Sequence, residues 1–98
     1  MNQSLPALNA VRIFEAAARL QNFTKAASEI HITQGAVSKQ IKLLEQQLGC
    51  QLFIRTGPML KLSDEGKEFQ AVAEESLSII RRGTARIRSR SANTPLTI

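Results

Sequence analysis

A mainly α-helical fold with one small hairpin is what this 98-residue sequence predicts. Three observations lead there. Apolar residues recur at spacings of three and four over most of the chain, as on helices that bury one side. Only residues 52–62 break that rhythm: Leu52-Phe53-Ile54 is a short β-prone run, Thr56-Gly57-Pro58 is a turn signal, and Met59 to Leu62 alternates. After Ser63, an apolar seam at helical spacing continues as far as Ile87.

Taken in order, Met1 to Leu5 reads as a loose lead-in, and Pro6 suits the first turn of a helix, where its missing N–H costs nothing. From about Ala7 to Leu20, the residues Leu8, Val11, Phe14, Ala17 and Ala18 make one apolar face, leaving Arg12, Glu15 and Arg19 mostly solvated. Gln21 and Asn22 end this helix, and Asn22 or Thr24 caps the next, from about Phe23 to Ile30. Phe23 is expected to plug the core facing the first helix. Lys25, in the first turn, is either a phosphate contact or an ordinary surface lysine.

A third helix follows from Gln34 to Leu48, with Thr33 as its N-cap, Gly49 at its stop, and Val37, Ile41, Leu44 and Leu48 as its buried stripe. Ala26 and Ala27 are small enough for the second and third helices to cross closely, while Ile30 and Ile32 flank a turn at His31. Those constraints are the ones a helix-turn-helix requires. The other face of the third helix carries Gln34, Gly35, Ser38, Lys39 and Lys42: hydrogen-bonding groups, two cations and no carboxylate. A helix with so thin and polar a leading edge can enter a DNA major groove and offer donors to base edges. The alternative is a polar face that simply meets water. The hairpin then becomes a wing beside this helix. Leu60 and Leu62 lie on one side and Lys61 on the other, and Arg55 near the tip is within reach of a phosphate. Two strands alone are marginal in water, so the wing must lean on the helices.

Ser63 caps the last helix, and Asp64 and Glu65 in its first turn suit the helix dipole. It should run to about Arg88, roughly 25 residues or ~38 Å, too long to pack wholly on a domain of this size. Its seam, Ala73, Leu77, Ile80, Thr84 and Ile87, has the four-three spacing of a helix that pairs with another. Phe69 and Val72 extend the apolar surface toward the wing. Asp64, Glu65, Glu68, Glu74 and Glu75 against Lys67 make the first half acidic, and Arg81, Arg82, Arg86, Arg88 and Arg90 make the second half basic. An antiparallel pair of copies would set acidic halves against basic ones, although the helix dipole favours the same polarity. Ser89 to Thr94 reads as a polar linker, and Pro95-Leu96-Thr97-Ile98 as the opening strand of a further domain. The organisation expected is therefore a winged helix-turn-helix over residues 1–62, a linker or dimerisation helix over 63–90, and the start of an effector domain over 91–98.

A formal net charge of +5 favours a polyanionic partner. Cys50 is the only cysteine; a lone thiol supports neither a disulfide framework nor a metal site and fits a reducing cytoplasm. It reads as a small, partly buried apolar side chain. His31 reads as a turn residue with a local hydrogen bond rather than a metal ligand. No apolar run approaches the ~20 residues that cross a bilayer, and the N-terminus lacks the pattern of a signal peptide. No metal, cofactor or membrane is expected, and no convergent set of nucleophile, base and acid points to an enzyme. A protein–protein module, in which the last helix pairs with longer subunits and interferes with them, is the competing class.

The segments FTKAASEIHITQGAVSKQIKLLE, then LG, LFIRT, and LSDEG leading into a long helix, resemble the DNA-binding domain of LysR-type transcriptional regulators. The likeness covers about Leu8 to Ile98. The opening LPALNAVRIFEAAARLQNF is similar to the subgroup that holds the regulators of glycine cleavage and of β-lactamase induction. The resemblance implies a winged helix-turn-helix and a linker helix that pairs antiparallel in a homodimer, with higher oligomers open to the full-length protein. It implies double-stranded DNA as partner, bound at an inverted-repeat operator to regulate bacterial transcription. Gln34 would read a base edge while Gly35 lets the backbone approach. Lys39 would contact base or phosphate, Thr33 and Ser38 would hold phosphates, and Lys25, Lys42 and Arg55 would add phosphate contacts. Two departures matter: Gly35 stands where many members have proline or alanine, and Pro58 stands where many carry a wing-tip arginine that enters the minor groove. The family's effector-binding domain would follow the linker helix, so its ligand site falls outside this chain.

Overall fold

Around Phe14, which is fully buried, the rest of the fold closes. The computed structural model describes residues 5–93. It consists of α1 (Leu8–Leu20), α2 (Phe23–Ile30), α3 (Gln34–Leu48), β1 (Phe53–Thr56), β2 (Met59–Leu62) and α4 (Asp64–Asn93). All four phenylalanines form one chain of tilted and edge-on contacts. Phe69 of α4 meets Phe14 of α1 at 5.3 Å, Phe14 meets Phe53 of β1 at 5.5 Å, and Phe53 meets Phe23 of α2 at 5.3 Å. Each such pair adds roughly 0.5–1.5 kcal/mol beyond the area it buries. Phe23 packs on the core as expected, and its ring partner there is Phe53 of the wing.

α1 packs against three other helices, α2, α3 and α4. Its buried arc is accordingly wide: Ala10, Ile13, Phe14, Ala16, Ala17 and Ala18. Leu8, expected on the apolar face, is 51% exposed because it opens the helix ahead of Ala10, the first residue its neighbours cover. Pro6 lies one residue before the N-cap, Ala7, rather than in the first turn. Arg12 and Arg19 are exposed as expected, but Glu15 is half-buried, and Arg19 pairs with it and with Glu29 of α2. The Arg19 guanidinium holds the Glu29 carboxyl below the usual range, chiefly by hydrogen bonding.

The hairpin is antiparallel, with Phe53 opposite Leu62 and Thr56 opposite Met59. That register leaves Gly57 and Pro58 as the two turn residues, with Gly57 at φ 61°. A two-residue hairpin turn needs positive φ at its first position, which glycine supplies; proline, locked near −65°, can occupy only the second. Leu60 and Leu62 pack on the core and Lys61 faces out, as the alternation predicts.

Ser63 begins α4 as expected: its Oγ accepts from the Gly66 N–H at 2.9 Å. The helix is 30 residues long, about 45 Å, and continues to Asn93, so residues 89–93, expected as linker, are helical. They contain no Gly or Pro, and Arg90 in the last turn complements the helix dipole. The expected seam is split. Ala73 is 0% and Leu77 4% exposed within a single chain, so neither is free to face a second copy. Ile80 (43%) and Ile87 (62%) are exposed, as are Val72 and Ile79, while Thr84 is half-buried. The strand expected at Pro95 to Ile98 lies outside the described residues, as do residues 1–4.

Candidate nucleic-acid interface

The joint between α2 and α3 determines which side of α3 is free. Ala26 and Val37 are completely buried, Ala27 is nearly so, and Ile30 and Ile32 pack beside them. His31 takes a left-handed conformation, φ 66°. Its N–H and that of Ile32 donate back to the Ser28 and Ala27 carbonyls, at 3.4 and 3.0 Å. These bonds end α2 tightly, and the chain re-enters a helix only three residues later. Both helix starts carry the expected side-chain caps. Asn22 Oδ1 accepts from the Lys25 N–H at 2.8 Å, which decides between Asn22 and Thr24, and Thr33 Oγ1 accepts from the Ala36 N–H at 3.1 Å.

With Val37, Ile41 and Leu44 facing the core, Gln34, Gly35, Ser38, Lys39 and Lys42 are all exposed. Leu48, expected in the buried stripe, is 37% exposed at the end of the helix. A Cβ added at Gly35 would meet only Thr33 Oγ1, at 4.0 Å. The fold therefore does not demand glycine there, although glycine costs a helix roughly 1 kcal/mol relative to alanine.

Two grooves gather the polar side chains. One of about 570 Å³ runs between α3 and the hairpin, with Ser38, Lys42, Glu45, Phe53 and Arg55 in its walls. The other, about 160 Å³, joins Gln34 to Thr24, Arg55 and Pro58. Arg55 borders both, its guanidinium carbon 5.8 Å from the centre of the Phe23 ring, within the range of a cation–π contact. Lys25 is exposed on the first turn of α2, and Lys39 is exposed on α3; neither lines these grooves. Thr33 is also exposed, and while its oxygen caps α3 its hydroxyl proton stays available to an acceptor.

Two residues that sequence reasoning passed over belong to this surface. Thr24 shares the smaller groove with Gln34, and its place in the first turn of a capped helix was the available signal. Glu45 lines the larger one. A carboxylate in the last turn of a helix opposes the helix dipole, a mismatch that hints at a partner elsewhere. Cys50, just after α3, is half-buried, and burial, followed by the charges of Glu65 and Glu45, pushes its thiol up. That disfavours the thiolate a reactive cysteine needs. Among the described residues no three His, Cys, Asp or Glu side chains are grouped to hold a metal ion, and no helix is long and apolar enough to cross a membrane.

A helix-turn-helix with its second helix bare on one side and a basic hairpin beside it defines the class: a winged helix-turn-helix domain. Residues 8–67 match the model of the bacterial regulatory helix-turn-helix proteins of the lysR family. The chain belongs to that family. It is 45% identical, over its whole length, to the glycine cleavage system transcriptional activator of Escherichia coli, of which it spans 32%. It is also 49% identical, over 82% of its length, to the carbapenem-hydrolyzing β-lactamase transcriptional activator of Enterobacter cloacae, of which it spans 27%. Both sides of the expected subgroup are thus among its relatives, and the chain spans about a third or less of their length. Among solved structures it is similar to the DNA-binding domain of BenM in complex with catB site 1 DNA. There the TM-score is 0.81 and the identity 34%, covering 92% of this chain and 99% of that one.

Proposed function

We propose that this chain is the sequence-specific DNA-binding part of a longer, effector-responsive bacterial transcription regulator, working in the cytoplasm. It binds as a dimer to an inverted-repeat operator. The observation that carries the reading is the bare face of α3: Gln34, Gly35, Ser38, Lys39 and Lys42 all reach solvent, and the hairpin brings Arg55 to the same grooves. Gln34 is placed to bond a base edge, worth about 1–3 kcal/mol of discrimination when bidentate. Ser38, Thr33, Lys25, Lys39, Lys42 and Arg55 hold the phosphates on either side. Pro58 offers the minor groove neither an N–H nor a charge, so the wing contributes through Arg55. Dimerisation runs through the outer part of α4, with exposed Ile80 and Ile87 and half-buried Thr84, and sets basic halves against acidic ones. A two-fold dimer of reading heads calls for two half-sites on one face of the duplex.

Selection of bound sequences from random DNA, followed by titration of the recovered site at several salt concentrations, tests this. A dyad-symmetric consensus is expected, with affinity falling steeply as salt rises. Recovery of no consensus, with binding indifferent to salt, contradicts it.

A further inference from the structure

Four backbone N–H groups that follow α3 converge on one residue. The Glu45 carbonyl accepts from Gly49 at 2.8 Å and from Cys50 at 3.2 Å. Its side-chain Oε2 accepts from the N–H groups of Leu52 at 2.7 Å and Phe53 at 3.3 Å. The same segment is gripped from the other side by Ser63, whose N–H donates to the Leu52 carbonyl at 2.9 Å and whose Oγ donates to the Gln51 carbonyl at 2.6 Å. Gly66 closes the grip, since a Cβ there would run into the Leu52 carbonyl oxygen. The root of the hairpin, Gln51 to Phe53, is therefore tied to α3 through its N–H groups and to α4 through its carbonyls.

Glu45 is poorly placed for anything else. It opposes the dipole of α3, and it stands in the wall of the groove with Ser38, Lys42 and Arg55, where its charge would repel a phosphate. We propose that Glu45 is a positioning residue for DNA binding. By holding Leu52 and Phe53 it fixes the angle between hairpin and α3, and so lets Arg55 and Lys42 engage one run of phosphates together. Arg55 lies two residues beyond Phe53 on β1 and rests against Phe23, which itself packs on Phe53. A shift at the root is thus carried to the guanidinium. This inference rests on the DNA-binding reading above.

The test is a double-mutant cycle on the 98-residue chain, with the selected duplex and a random-sequence duplex of equal length as probes, at a temperature where every variant is folded. Arg55→Ala alone should weaken binding about tenfold, the worth of one charge-assisted contact. In the Glu45→Ala background the same change should cost less than about threefold, the two sites being coupled. Glu45→Gln keeps an acceptor oxygen and sheds the charge, so it should bind more tightly than the native chain and restore the full Arg55→Ala penalty. An unchanged Arg55→Ala penalty in the Glu45→Ala background, or a Gln variant as weak as the Ala variant, overturns the proposal. Residual dipolar couplings measured without DNA separate the two readings. Glu45→Ala should reorient the hairpin against α3 and Glu45→Gln should not; an unmoved hairpin overturns the positioning role. Absence of binding by the native chain would overturn the DNA-binding reading and with it the role of Glu45 in binding, whereas a reoriented or unmoved hairpin in Glu45→Ala decides the geometric role without DNA.

Discussion

α4 is one continuous helix whose two halves live in different circumstances. Near the wing, Phe69 and Ala73 press into the core that α1 organises, where Ala73 loses all its exposure, and Leu77 is buried one turn further on. Further along, Ile80 and Ile87 continue the same four-three seam, yet they are 43% and 62% exposed, and the neighbouring Ile79 is 54% exposed. The difference teaches that a four-three seam records the need for a covering helix without saying whose helix it is. For the first half the cover is α1 of the same chain. Among the described residues nothing covers the second half, which supports a second copy as the partner. The winged domain with the first half of α4 buries its own apolar residues, and the described outer half of α4 does not.

The largest test of that contrast strikes the self-covered side. Phe14→Ala removes the ring shared by Phe53 and Phe69 and should cost roughly 3–5 kcal/mol, a large part of a typical domain's stability. Thermal melting should drop sharply and DNA binding should fall with it; a near-native melting temperature would show that the aromatic chain is not the keystone. Ile80→Asp with Ile87→Asp strikes the other side. It should leave the helical signal of the winged domain intact while converting dimer to monomer in sedimentation. Affinity for a two-half-site duplex should fall by about 10²–10⁴, the gain that linked sites confer. Unfolding of the winged domain by that pair would erase the contrast.

Smaller effects sharpen it. Thr33→Ala removes the cap on α3 and should cost about 1 kcal/mol, seen in denaturant titration as a lower midpoint with unchanged slope. The Arg19–Glu29 pair bridging α1 and α2 should matter least, because both side chains are 44% exposed and such pairs contribute little. Its sign is still readable. The folded Glu29 carboxyl is held below its unfolded value, so the contribution is present above the unfolded value near 4.3 and disappears as pH falls through the lower folded one. Arg19→Met should therefore narrow the stability difference from the native chain on acidification; a gap that widens instead would contradict the assignment.

Much of this was legible in the sequence because local chemistry decides it. Thr33 and Ser63 cap helices, Asn22 or Thr24 caps another, Gly49 ends one, and Gly57-Pro58 turns the hairpin, each for reasons confined to a few neighbours; the structure decides for Asn22. The free face of α3 was legible too, since Val37, Ile41 and Leu44 fix its rotation. What escaped depends on distant neighbours. Leu8 and Leu48 continue apolar stripes past the ends of the elements that cover them, and Ala73 and Leu77 are already buried within the chain. Arg19 reaches a carboxylate ten residues away, and Glu45 is explained only by the path the chain takes after Gly49.

The face of α3 can be questioned most directly by comparing Gln34→Ala with Lys42→Ala across a panel of operator variants, each changed at one base pair. Gln34→Ala should erase the preference at a single position, by about 1–3 kcal/mol, and leave the others standing. Lys42→Ala should weaken every site alike and make the salt dependence shallower by about one counterion. Indistinguishable profiles for the two variants, or an unaltered preference in Gln34→Ala, would contradict α3 as the reading element.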